Sequence, residues 1–154
     1  MPSIGTSTVW KGSIAPQKQT GKSASRARDA RSEQLHQTEF QYYIDRIEEE
    51  DSFHALIEAG DHILPRLESQ FQAESAPERR TAIIRIIREY RNPKALALLT
   101  HALSDPVESV WQEALNGIVT IGGEEAIAVL RAALSDSSPS KREWITEAIK
   151  QCTP

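Results

Sequence analysis

The chain has a single cysteine in 154 residues, Cys152, so no disulfide framework can hold it and a reducing compartment, the cytoplasm, is expected. A lone thiol next to the C-terminus, with no electropositive setting around it, is expected to be inert. No apolar run approaches the ~18 residues of a membrane span, and the N-terminus lacks the continuous apolar block of a secretory signal. Strand-forming residues are sparse and aromatics make up only 6%. The sequence holds no GxxxxGK[ST] or GxGxxG phosphate loop, no HExxH and no GxSxG. Of four histidines, His54 and His62 stand at i and i+8 around Glu58, but Gly60-Asp61 interrupts the helix between them. No cofactor, metal or catalytic residue is assigned, and enzymatic activity is not expected.

The charge that is present is unevenly spread. Residues 1–32 carry six basic side chains against one acid, residues 33–74 carry eleven acids against two bases, and residues 75–154 balance at ten of each. The first 32 residues are rich in Ser, Thr, Gly, Ala and Lys without apolar periodicity, a composition that cannot offset the entropy of ordering. They read as a flexible basic tail, followed by one folded domain over 33–154. Val9, Trp10 and Ile14 form an apolar island in that tail, so Trp10 is a candidate docking residue. The tail shares the Arg- and Ser-rich make-up of an organelle transit peptide but lacks its amphipathic helix.

From Glu33 onward the pattern is helical. Phe40, Tyr43, Ile44 and Ile47 share one face at 3.6-residue spacing, and the run Glu48-Glu49-Glu50-Asp51 reads as the solvated end of that segment. Gly60 stands at a C-cap. Asn92-Pro93, Asp105-Pro106 and Ser138-Pro139 each place an N-cap residue before proline at the first helical position, and Asp105 with Glu108 is spaced as a capping box. The helices between these signals are about 11 to 16 residues long. Gly122-Gly123 breaks two of them, and connections this short make successive helices antiparallel.

One helix is written twice. ALALLTHALSD (Ala95–Asp105) returns 31 residues later as AIAVLRAALSD (Ala126–Asp136), with seven of eleven positions identical. Ala95, Leu96, Leu99 and Leu103 map onto Ala126, Ile127, Leu130 and Leu134; Leu64, Leu67 and Phe71 take the same roles one period earlier. Ile83 and Ile87 map onto Ala114 and Ile118 in the helix that follows each copy. The unit is a helix pair. About three such units run from Gly60 to the C-terminus, and residues Glu33 to Ala59 supply an N-terminal cap or partial fourth. Self-similarity at this period signals an all-α solenoid, whose hairpins share one continuous core because none can bury its apolar face alone.

The segment DPVESVWQEALNGIVTIGGEEAIAVLRAALSD (Asp105–Asp136) resembles short HEAT-like repeats of the kind found in phycobilisome-lyase-type proteins, through Asp105-Pro106, Val110, Ala114, Gly117-Ile118 and Gly122. Trp111 replaces the arginine usual in that pattern, whereas the preceding unit keeps it as Arg80. The last unit fits with a three-residue insertion that puts Trp144 and Ala148 at the Val110 and Ala114 positions. The resemblance implies a right-handed solenoid with the second helix of each pair on its concave side.

That side is the candidate binding surface. With Ile83, Ile84 and Ile87 inward, Thr81, Arg85, Arg88 and Glu89 point out; with Val110, Ala114 and Ile118 inward, Ser109, Gln112, Glu113 and Asn116 do. Glu143, Glu147 and Lys150 extend the surface in the last unit. The result is a mixed polar ledge with a basic spot at Arg85 and Arg88. Trp111 is expected in the core, whereas Trp144, in a terminal repeat, is a candidate interface residue. The acidic Glu48, Glu49, Glu50 and Asp51 suit a basic protein partner. The expected function is a protein-binding adaptor or scaffold, in a specialised form a toxin-neutralising immunity protein. The alternatives are a chromophore-handling, lyase-like accessory, implied by the resemblance, and weak nucleic-acid binding through the tail, which an acidic body disfavours.

Overall fold

A computed structural model of the chain describes residues 35–154. The expected tail, with Trp10, lies outside the described residues. Helices α1 (Gln37–Asp45) and α2 (Glu50–Ala59) form a first hairpin, and α3 (Leu64–Ala73) and α4 (Pro77–Glu89) a second. The third is α5 (Leu96–Leu103) with α6 (Glu108–Ile121), and the fourth is α7 (Gly123–Leu134) with α8 (Pro139–Cys152). Single 3-10 turns, Asp61–Ile63 and Pro93–Ala95, lead into α3 and α5. There is no strand among the described residues.

The hairpins stack as an all-α solenoid. Within each pair the two helices pack together, and across pairs α2 packs on α4, α4 on α6 and α6 on α8, forming a layer of second helices. The first helices form the other layer. Arg66 of α3 lies over the Phe40 ring of α1, the Phe71 ring of α3 meets His101 of α5 edge-on, and α5 touches α7. The two copies of the repeated segment are thus neighbours filling equivalent slots. The expected partial cap is a complete, short hairpin.

The core sits between the layers. The repeat positions Leu67, Leu99 and Leu130 are fully buried, as are Ile83, Ala114 and Ile118. In α4, Ile83, Ile84, Ile86 and Ile87 are all at most 1% exposed, because this helix is covered on three sides by α2, α3 and α6. Burying one such side chain contributes ~1.5–3 kcal/mol. Gly117 lets α6 pass close to α5: a Cβ there would stand 2.9 Å from Leu99 Cδ1, so the Leu99 side chain would have to shift. Gly122 (φ 67°) and Gly123 (φ 85°) turn the chain from α6 into α7 through backbone that residues with a Cβ avoid.

Cationic side chains from the starts of α4 and α8 tie neighbouring hairpins. Arg79 of α4 donates to the C-terminal carbonyls of α1, Ile44 O at 2.7 Å and Asp45 O at 3.3 Å, while its Nε pairs with Glu74 at 2.8 Å. Burial pushes the Glu74 carboxyl up, but the Arg79 guanidinium and the Ala76 amide outweigh it and hold it below the ordinary carboxylate value. Arg80 forks onto both oxygens of Asp105, each at 3.1 Å. In the last hairpin Lys141 of α8 repeats the role of Arg79, donating to Leu103 O at the end of α5 at 2.9 Å.

Three expectations are corrected. The run Glu48–Asp51 does not end the first helix. Arg79 caps α1 at Asp45, the chain turns, and Glu50 and Asp51 occupy the first turn of α2, where their charge complements the helix dipole. Asp105 is not the N-cap of α6, and the Asp105–Glu108 capping box does not form; Val107 holds the cap position. The Asp105 carboxylate instead accepts from the Val107 amide at 2.9 Å and from Arg80, a stronger, charge-assisted use of the same oxygens. The helices run from 8 to 14 residues, shorter at the low end than expected, since 3-10 turns take the first residues of two of them.

Candidate functional site

The second-helix layer presents a ledge built from α2, α4, α6 and α8. At its centre Glu113 of α6 receives two arginines of α4, Arg85 at 3.3 Å and Arg88 at 2.8 Å. Arg88 also reaches Glu89 at 3.4 Å. Two cations and two anions cancel, so the expected basic spot is a neutral, cross-linked network. The physical reason is the stacking itself: helices one repeat apart bring their outward faces together, and Glu113 lies beneath both guanidinium groups. Gln112 is half-buried and donates to Glu108 at 2.7 Å, and Asn116 is exposed beside them.

Thr81 was expected to point out and does not. It is 8% exposed, its hydroxyl donates to Pro77 O at 2.8 Å, and its Oγ1 lies 2.9 Å from Ser109 Oγ. Here α4 packs on α6, and the exposed Ser109 hydroxyl at the seam covers Thr81.

Toward the first hairpin the ledge opens into a groove of about 350 Å³ between α2 and α4. Its apolar lining is Ile47, Phe53 and Ala82, and its charged lining is Glu48, Glu50, Glu78 and Arg85. The structure thus brings together Glu48, Glu50 and Arg85, which the sequence offered as unrelated patches. Glu49 and Asp51 are exposed but do not line the groove.

At the other end Trp111 and Trp144 meet edge-to-face, with ring centroids 6.2 Å apart. Trp111 is 6% exposed, in the core as expected, and Lys141 Nζ stands 5.1 Å from its ring centre. Burial lowers the Lys141 pKa, with Asp105 acting in the opposite sense. Trp144 does not take the buried slot of Val110. It is 48% exposed, and Ile145 and Ala148 carry the burial of α8. Glu143, Glu147 and Lys150 are exposed on the same helix, the last two paired at 3.5 Å.

Phe53, Glu78 and Ala82 were missed by reading helix faces one at a time. The useful signal is the separation of partners on adjacent second helices: Arg85 and Glu113 are 28 residues apart, Arg88 and Glu113 are 25. The same offset of 28 links Glu50 to Glu78. Among the described residues no group of three or more His, Cys, Asp or Glu is placed to hold a metal ion, and no helix is long and apolar enough to cross a membrane. A family model for HEAT repeats matches residues 64–150, from the start of α3 nearly to the end of α8. No curated protein matches the chain.

Proposed function

Because the chain belongs to the HEAT-repeat family, we propose that it is a non-catalytic adaptor or scaffold that binds another protein through its second-helix ledge. HEAT repeats commonly mediate protein–protein interaction. The observation that carries the reading is the ledge itself. From Glu48 and Glu50 through Arg85, Arg88, Gln112, Glu113 and Asn116 to Trp144, polar and aromatic side chains stand on rigid, cross-linked helices, as a binding surface requires. The acidic bias of residues 33–74 favours a basic partner met in the cytoplasm. An immunity protein that neutralises a toxin is a specialised form of the same role.

The test is affinity capture from the native cell with the tagged full chain. One protein should be retained in stoichiometric amount, and reversing Arg85 and Arg88 to Glu or replacing Trp144 by Ala should weaken its retention. Capture indifferent to every change on the ledge would overturn the reading. Co-purifying visible absorbance would favour chromophore handling instead, and nucleic acid lost on deletion of residues 1–32 would favour the tail.

A further inference from the structure

The groove between α2 and α4 has an unusual balance of charge. Glu48, Glu50 and Glu78 line it, all three are exposed, and none of their carboxylates has a hydrogen-bond or ion-pair partner among the described residues. The one cation on the lining, Arg85, is already engaged by Glu113. Glu50 and Glu78 stand in the first turns of α2 and α4, where the helix dipoles offer each about half a positive charge. Two half-charges do not neutralise three carboxylates, so the groove keeps a net negative potential. Its floor is not polar: Ile47 is buried, and Phe53 and Ala82 are half-buried and line the same space. An apolar floor beneath a ring of unpaired anions matches one kind of side chain, a long alkyl stem ending in a cation.

We propose that this groove receives a single cationic side chain, an arginine of a basic partner segment, with its stem on Ile47, Phe53 and Ala82 and its guanidinium among Glu48, Glu50 and Glu78. Arginine is preferred over lysine because its planar, weakly hydrated head both stacks on an aromatic ring and serves more than one carboxylate. The proposal rests on the adaptor reading and gives it a place of first engagement: the groove selects the charge of the partner, and the rest of the ledge supplies area.

The experiment is an NMR titration of the isotope-labelled full chain with N-acetyl-arginine amide, with N-acetyl-citrulline amide as the uncharged control of nearly equal shape. Saturable shifts confined to amides of residues 47–53 and 78–85 are expected with arginine and none with citrulline. Changing Glu48, Glu50 and Glu78 together to Gln should weaken arginine binding by roughly tenfold or more, the equivalent of about 1.4 kcal/mol spread over three exposed charge pairs. None of these carboxylates makes an ion pair; Gln removes the dipole complement of Glu50 and Glu78 but also the repulsion among the three charges, so the triple variant should melt within a few degrees of wild type, which separates loss of binding from loss of structure. Equal shifts with citrulline, shifts centred elsewhere, or unchanged affinity in the triple variant would overturn the proposal. The two readings also fail separately. A captured partner indifferent to the triple change, with a silent titration, removes the groove and leaves the adaptor standing. Saturable arginine binding in a chain that captures no protein does the reverse.

Discussion

Arg80 and Asp105 show how one residue pair replaces a helix cap with a link between repeats. The fork buries most of both side chains, which are 15% and 9% exposed. Arg80→Ala leaves the carboxylate with only the Val107 amide and should cost about 2–3 kcal/mol, the range for a hydrogen bond to a charged group, read as a lower urea midpoint at unchanged slope. Glu74 gives a pH signature. Its folded pKa lies below the ordinary 4.5, so its contribution is complete above that value and is lost as pH falls through the folded pKa. Glu74→Gln should therefore be less stable than wild type at pH 7, with the gap closing progressively below pH 4.5 in acid denaturation. The two tryptophans should separate cleanly. Trp111→Ala opens the core and should cost ~3–5 kcal/mol, whereas Trp144→Ala, at the rim, should cost under about 1 kcal/mol. Residue identity made Trp111 legible, since a large aromatic on an apolar stripe is nearly always covered. It left Thr81 and the repeat slot given to Trp144 misread, because both depend on which helix packs alongside, and no single helix encodes that.

At the scale of the element, local chemistry was the more readable part. Phe40 with Ile44, Ile83 with Ile87 and Ala114 with Ile118 marked buried faces through spacing alone, and Asn92 and Ser138 cap the segments they precede, accepting from the Lys94 and Lys141 amides. The ends that failed were those where a distant cation intervenes: Arg79 closes α1 early, and Arg80 draws Asp105 away from α6. Both partners lie a repeat away, beyond any window that reads one helix. The turn between α6 and α7 gives a test that needs no partner. Gly122→Ala forces a Cβ into extended backbone at positive φ (φ 67°, ψ −169°) and should destabilise by ~1–3 kcal/mol, whereas Gly122→D-Ala, introduced by semisynthesis, should not. Equal losses for both would place the cost in crowding rather than in φ.

Across the whole molecule, stability and function divide between the two layers. The core and the cationic ties hold hairpin to hairpin, so each layer depends mainly on its neighbours, as expected for a solenoid. The repeat announced this architecture because an eleven-residue near-copy returning 31 residues later must fill a near-identical slot. It said far less about the candidate site, whose exposed Trp144 and three groove-lining carboxylates are not part of the repeated pattern. On the adaptor reading, the second-helix layer and not the first meets the partner. Amide hydrogen exchange of the full chain, with and without the captured protein, tests it most directly. Added protection in α2, α4, α6 and α8, strongest around residues 50–53 and 78–85, is predicted. Protection confined to α1, α3, α5 and α7 would contradict it.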